Sequence, residues 1–352
     1  MSYEPVFKIT PLLLGRIEAI AVERERIRAA TVESPWIPAL QKEARARNTH
    51  SSTAIEGNPL TLEQVRAIAE DREIATVGSR AKHEILNYFA GLRFITKHAR
   101  KHSLHHEDIL TLHGIIAKDV MHQGEPGRYR SIRVRVGSYF PPGPEEVSSL
   151  VFELLEWWNK HAGNLSPVLS SAIVHYRFEA IHPFADGNGR TGRALALWEL
   201  YRRGFDSHHI FSVDEFFCDD RSRYYAELNR VRTDGADLTH WLEYVAEGVF
   251  ITLQRVWRRI QQISHGTAGG KIHLLPRQEQ LLQLLKEHGA MHPSQIWSEL
   301  RVSRQGAMNL LRPLMEAGFV RREGTHKSGR YILAAPNQLK RQKQDSISRK
   351  TG

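Results

Sequence analysis

The stretch His182-Pro183-Phe184-Ala185-Asp186-Gly187-Asn188-Gly189-Arg190-Thr191-Gly192-Arg193 leaves the chain few ways to fold around it. Apolar residues at helical spacing precede it (Leu169, Ile173, Tyr176, Ala180) and follow it (Ala194, Leu197, Trp198, Tyr201), so the polar run is a junction between two helices. Glycines on both sides of Asn188 let backbone amides approach an anion at the mouth of the second helix, where the macrodipole already favours negative charge. Gly187, Asn188 and Gly189 are therefore a candidate phosphate cradle. Arg190 and Arg193 stand three apart in the first turns of that helix, on one face, so both guanidinium groups reach one polyphosphate. Asp186 offers a single hard carboxylate beside them, enough for a Mg²⁺ that takes its other ligands from phosphate and water. His182, just ahead of the loop, is placed to take a proton from an incoming hydroxyl, and Phe184 reads as the apolar anchor of the loop.

Each piece alone has a plainer reading: a histidine before proline, or a Gly-Asn-Gly, caps a helix and turns the chain. The string as a whole resembles the signature of the Fic family, H-P-F-x-D/E-G-N-G-R-x-x-R, at every fixed position. The resemblance implies a mainly α fold with a β-hairpin flap, and an adenylyltransferase that moves AMP from ATP to a Tyr, Ser or Thr hydroxyl of a protein, itself included, releasing pyrophosphate. It gives His182 the role of base, Asp186 the Mg²⁺, the Gly187 to Gly189 amides a phosphate, and Arg190 and Arg193 the β- and γ-phosphates. Thr191 and Gly192 fall inside the same ATP-binding run. Removal of AMP, or transfer of another phosphate-containing group, would use the same residues, because they handle the same phosphates. A transcriptional regulator whose signature half senses nucleotide is the alternative from another class.

The 352-residue chain is long enough for two or three domains, and 41% hydrophobic with 25% charged residues is ordinary for a soluble globular protein. Its one cysteine, Cys218, excludes an intramolecular disulfide and a cysteine-rich zinc site. Neither a signal core nor an apolar run of membrane-spanning length is present, which gives a cytoplasmic expectation without membrane contact. The net charge of +10 favours acidic partners, nucleotide and nucleic acid first. Part of that surplus is in the tail, at Lys340, Arg341, Lys343, Arg349 and Lys350.

Residues 11 to 31 have the pattern of an amphipathic helix, and Pro35 and Pro38 open a second one that Gly57-Asn58-Pro59 stops near Glu56. Thr61 and Gln64 have capping-box spacing for a third. On the second helix Ser52 and Glu56 share a face directly before Gly57. By pattern alone Glu56 is surface charge at a helix end; by resemblance Ser52-x-x-x-Glu56-Gly57 is the inhibitory motif that precedes the core in many Fic proteins, with Glu56 opposing the productive γ-phosphate position. Residues 82 to 122 read as two helices, and the histidines near them (His98, His102, His105, His106, His113, His122) lack metal-ligand spacing, which leaves them structural or solvent-facing. Ile132 to Val136 alternates as a strand does, Gly137-Ser138 turns the chain, and Pro141-Pro142 ends pairing: a short hairpin. By resemblance this is the flap, which holds a target segment as an added strand and places Val136, Gly137, Ser138 and Tyr139 against ATP. Pro144 to Lys160 forms a helix whose Leu154, Leu155, Trp157 and Trp158 belong to the core. Tyr224 and Tyr225 lie, by resemblance, near the adenine, and Arg232 stands where some relatives have an asparagine.

Beyond a Gly-containing linker at Ser264 to Gly270, three helices (from Pro276, Pro293 and the N-cap Ser303) are followed by Gly318-Phe319-Val320 and Tyr331-Ile332-Leu333 around a basic tip. That order resembles a winged helix-turn-helix domain (α+β), which presents Arg304, Gln305 and Asn309 to DNA or serves as a protein-docking or dimerisation module. The expected organisation is a helical N-terminal region with the inhibitory helix (1–80), a catalytic domain (81–263), a linker (264–275), a winged helix (276–335) and a disordered basic tail (336–352). Oligomeric state stays open, a homo-oligomer included.

Overall fold

The computed structural model describes residues 3–30, 37–72, 78–206, 208–267, 276–300, 302–316, 319–324 and 329–334. Among them are α1 (Pro11–Ala30), α2 (Ile37–Ile55), α3 (Leu62–Ala69), α4 (Ser79–Lys97), α5 (His106–Ile116), α6 (Pro144–Lys160), α7 (Pro167–Ile181), α8 (Asn188–Arg202), α9 (Asp214–Asp219), α10 (Arg221–Thr233) and α11 (Thr239–Thr267). Then come α12 (Pro276–His288), α13 (Pro293–Glu299), α14 (Arg304–Glu316) and an antiparallel pair, β1 (Val320–Glu323) and β2 (Arg330–Leu333). The chain divides into two compact units, residues 1–21 with 41–253 and residues 22–40 with 254–352.

In the first unit α7 is the buried axis. Almost every one of its side chains is covered, as a helix surrounded on all sides requires, and α8 packs along it. The two helices approach closely at Gly192, where a Cβ would come within 2.4 Å of Glu179 Oε1 and 3.1 Å of the Phe178 ring. Trp158, Trp198 and Trp241 fill the space around them. Glu199, fully buried in α8, is tolerated because the Trp158 indole and the Ser170 hydroxyl both donate to it at 2.6 Å and Arg202 lies 3.1 Å away.

Several local expectations hold. Thr61 and Gln64 form the capping box, Ser303 Oγ accepts the Gly306 N–H at 3.1 Å, and α6 begins and ends where its pattern does. Two do not. Residues 264–267, expected in a linker, continue α11 to Thr267, because its apolar periodicity runs on past Leu253, Val256 and Ile260; 268–275 lie outside the described residues. The alternating stretch Ile132 to Val136 forms no strand: it carries only the bridge Val136↔Tyr139. After Tyr139 come Phe140, Pro141 and Pro142, and prolines have no N–H to extend a ladder.

The second unit contains α12 to α14 and the β pair around a core of Leu281, Leu285, Ile296, Leu311, Leu314 and Tyr331. Backbone hydrogen bonds between Met291 and Tyr331 (2.9 and 2.8 Å) tie the end of α12 to β2. The basic tail lies outside the described residues, as do 325–328 of the tip.

Candidate active site

His182 caps α7 in the left-handed conformation (φ 48°), its N–H on the Phe178 carbonyl at 2.9 Å. For a residue with a side chain that conformation costs roughly 1–2 kcal/mol. Arg130, 4% exposed, holds the bend. Its Nε donates to the His182 carbonyl (2.8 Å), its Nη2 to the Pro142 and Ile181 carbonyls (2.6 and 3.3 Å), and its Nη1 to the Ile132 carbonyl (3.1 Å). Burial pulls the His182 pKa down to about 4, so the imidazole is neutral at pH 7, as a general base must be. Its Nδ1 faces Glu179 Oε2 at 3.8 Å, and burial pushes that carboxyl up to about 7.

The loop between α7 and α8 is laced internally. Asn188 is buried, with its Oδ1 accepting the Phe184 N–H (2.9 Å) and its Nδ2 donating to the Phe184 carbonyl (2.8 Å), so its side chain is committed to shape. Phe184 is fully buried and stacks on His113 at 3.5 Å, the anchor its position implied. His113 accepts the Gly127 N–H at Nδ1 (2.9 Å), which puts its proton on Nε2, and that nitrogen donates to the Asp186 carbonyl (2.9 Å). Burial keeps it neutral, with a pKa lowered to about 4. Gly187 begins α8 at φ 79° and gives its N–H to Asp186 Oδ1 (2.6 Å); Asp186 Oδ2 accepts the His122 N–H (3.1 Å). Thr191 is fully buried with its hydroxyl on the Gly187 carbonyl, and Gly192 is the contact point with α7; these two serve packing within the signature.

The two arginines sit differently. Arg190, 4% exposed, lies 3.6 Å from both Glu84 and Asp186, and its Nε and Nη1 have no hydrogen-bond acceptor. Buried donors without acceptors at a helix mouth are what an anionic ligand satisfies. Arg193, 2% exposed, is fully engaged: Nε donates to Ser52 Oγ and Nη2 to the Ser52 carbonyl and to Glu56 Oε1, each at 2.8 Å. Glu56 follows the last residue of α2, and Gly57 (φ 91°) closes the helix with N–H bonds from Gly57 to Ala54 and Asn58 to Thr53. That turn aims the Glu56 carboxylate across the mouth of α8, where a Cβ on Gly189 would meet Oε1 at 2.2 Å. Asn58, just beyond, donates to Glu84 at 2.8 Å.

At the flap, Val136 and Tyr139 exchange backbone hydrogen bonds at 2.9 Å around Gly137 (φ 60°) and Ser138. Tyr139 donates to the Ala180 carbonyl (2.8 Å) and carries the Arg232 guanidinium over its ring at 3.8 Å, which ties the turn to α7 and α10. The tyrosine pair divides. Tyr224 belongs to the core, stacked on Phe217 at 4.9 Å and bonded to His175 Nε2 at 3.0 Å, so it offers no face for stacking. Tyr225 is half-buried, with its hydroxyl 3.4 Å from the Ile55 carbonyl at the end of α2. Sequence reasoning passed over Arg130, Glu84 and Glu179, and placed His113 only among the histidines left structural or solvent-facing. Only His113 left a trace, a polar residue within the apolar face formed by Ile109, Leu112 and Ile116.

No group of three or more His, Cys, Asp or Glu suited to a metal occurs among the described residues. Asp186 keeps a quarter of its side chain exposed at the mouth of α8, which fits a cation that takes one protein ligand and the rest from phosphate and water. No described helix is long and apolar enough to cross a membrane.

Residues 103–200 match the model of the Fic/DOC family. Proteins named protein adenylyltransferase Fic from Drosophila sechellia and Drosophila melanogaster are 32% identical to the chain over 235 residues, 66% of this chain and 46% of theirs. The chain thus spans less than half the length of these curated relatives. A crystal structure of a Fic family protein from Desulfovibrio desulfuricans G20 superposes with a TM-score of 0.65 at 27% identity, over 94% of this chain and 98% of that one. Fic-1 (residues 134–508) from C. elegans gives 0.58 at 26% identity, over 71% and 73%. The helical pair that carries His182 and the two arginines is therefore the centre of a Fic domain, and the chain contains one.

Proposed function

We propose that the chain is a protein adenylyltransferase, moving AMP from ATP to a hydroxyl side chain of a protein and held in check by Glu56. The observation that carries this is a neutral, partly covered histidine beside a helix mouth flanked by two buried arginines, one of them occupied by a carboxylate. The reaction balances simply. The hydroxyl oxygen of the target attacks the α-phosphorus, His182 takes the proton, the bond to the bridging oxygen breaks, and pyrophosphate leaves. Arg190, with its unspent donors, and Arg193, once released, bind the β- and γ-phosphates, and the Asn188 and Gly189 amides meet the phosphate chain, the Gly187 N–H being held by Asp186. Asp186 would hold Mg²⁺, whose charge offsets that of the departing pyrophosphate. The stretch from 131 to 135, which pairs with no strand among the described residues, suits a target segment added as a strand. The names of the Drosophila relatives point the same way. Incubation with ATP and Mg²⁺ followed by intact-protein mass spectrometry tests this: an AMP adduct on the chain or on an added protein is the expected result, and a phosphate adduct contradicts it.

Residues 276–335 support a second, separate reading, a winged helix that contacts duplex DNA. Ser303, Arg304, Gln305, Asn309 and Arg312 are exposed along α14, and Arg322 and Arg330 on the β pair. The first would enter a groove and the last two reach phosphates. Affinity for duplex should fall steeply with salt, and Arg322→Ala with Arg330→Ala should flatten the slope. No binding at low salt would assign the module to protein docking.

A further inference from the structure

Arg193 has a partner outside α2 that the inhibitory reading does not use. Its hydrogen bonds to Ser52 and Glu56 come from α2 and the residue just after it, and Glu56 must give way for a γ-phosphate to reach it. Asp214, the first residue of α9, lies on another side, with Oδ2 4.0 Å from Arg193 Nε. Asp214 is 6% exposed, and its Oδ2 accepts the Tyr88 hydroxyl at 3.2 Å. Ser52, which accepts from Arg193 Nε, stands in hydrogen-bonding reach of the same carboxylate. A chain of contacts thus runs from Tyr88 through Asp214 and Ser52 to Arg193 and Glu56. A guanidinium this deeply buried cannot lose every anionic partner without a large desolvation cost. Glu56 is the replaceable partner, since its side chain is one-third exposed, whereas Asp214 is enclosed by α4, α8 and α9.

We infer that Asp214 is a positioning residue for the transfer reaction: a permanent counterion that keeps Arg193 in place and aimed when Glu56 is displaced by the γ-phosphate of ATP. This rests on the reading that Arg193 receives that phosphate. Glu56 and Asp214 then divide two tasks on one guanidinium, blocking and aiming. Burial lifts the Asp214 pKa above its ordinary value, and the nearby Arg193 charge and the Ser52 and Tyr88 hydroxyls oppose that lift without cancelling it.

The test uses the full chain in the Glu56→Gly background, where the block is gone. Asp214→Asn preserves shape, removes the charge and exchanges one acceptor oxygen for a donor NH2. It should lower kcat for AMP transfer about tenfold, the scale of one lost charge-assisted contact. ATP affinity, measured separately by equilibrium binding, should stay equal or tighten, because an anion beside Arg193 has been removed. Asp214→Glu should recover part of the loss, and thermal melting of each variant shows whether the fold survives. If Asp214→Asn does not fold, the Asp214→Glu variant decides: a kcat within twofold to tenfold of the Glu56→Gly parent, with unchanged ATP affinity, supports the assignment. Equal kcat in parent and Asp214→Asn overturns it, as does a loss that appears only as weaker ATP binding. Failure of Glu56→Gly itself to raise transfer is a different result, which removes the inhibitory reading beneath it.

Discussion

Replacing Glu56 by glycine removes one carboxylate from a guanidinium that is 2% exposed and leaves Ser52 Oγ and the Ser52 carbonyl as its α2 partners. The contact broken is a single charge-assisted hydrogen bond of 2.8 Å. With the arginine buried and the glutamate one-third exposed, it contributes about 1–2 kcal/mol, below the full value of an enclosed pair. A second glycine beside Gly57 adds about 0.5–1 kcal/mol of unfolded-state entropy. Glu56→Gly should therefore lose about 1.5–3 kcal/mol of stability in denaturant titration. Its effect on rate has the opposite sign and a different origin. The carboxylate lies over Gly189 at the mouth of α8, where a Cβ would be 2.2 Å from Oε1, so an ATP that enters cannot place its γ-phosphate on Arg193. Displacement of the α-phosphate by about 1 Å costs on the order of a hundredfold in rate. Initial rates of label incorporation from α-labelled ATP at saturating nucleotide should rise by about that factor, with ATP affinity changing much less. Glu56→Asp should release part of the block, because the shorter side chain reaches Arg193 less well. Equal rates in wild type and Glu56→Gly would show that Glu56 does not block the site and is only a helix-end charge.

Four further outcomes follow from the same geometry. Gly187→Ala should destabilise the chain by roughly 1–2 kcal/mol in chemical denaturation, since φ 79° strains any Cβ and this one meets His113 Nε2 at 3.3 Å. Arg130→Ala strips the guanidinium from four carbonyls around the His182 bend and should cost about 3 kcal/mol of stability and lower kcat more than it changes ATP affinity. Because the folded His182 value lies near 4, below its unfolded one, the base stays neutral down to that range: the rate should show no histidine inflection near pH 6.5 and should fall only as pH approaches 4. His113 (about 4) and His175 (about 3) behave alike, so their contribution to stability is full above pH 6.5 and is lost as pH falls toward 4, where the unfolded chain binds protons the fold refuses.

The signature loop could be read from sequence because its constraints are local. A left-handed glycine, a proline stop and two arginines one turn apart fix the junction within a few residues of chain. Ser52 and Glu56 were likewise readable as a pair, although their meeting with Arg193, 137 and more residues away, depended on the resemblance. What escaped was long-range: Arg130 acts through backbone carbonyls, which no residue type advertises, and Glu84 and Asp214 become relevant only when α4 and α9 close against α8. The flap was misjudged for the converse reason. Alternation along Ile132 to Val136 describes a surface able to pair, and the described residues supply no strand for it beyond one bridge. Tyr224 shows the same limit, since an aromatic at helical spacing reads alike whether it faces a ligand or the Phe217 ring.

In the reaction proposed above, His182 and the two signature arginines move AMP, not the terminal phosphate, onto protein. The most direct measurement is label incorporation into protein by the Glu56→Gly chain from ATP labelled at the α- or the γ-phosphate, with Mg²⁺ and with His182→Ala as the matched control. The account predicts incorporation from the α label alone, abolished by His182→Ala while ATP binding persists; incorporation from the γ label would contradict it.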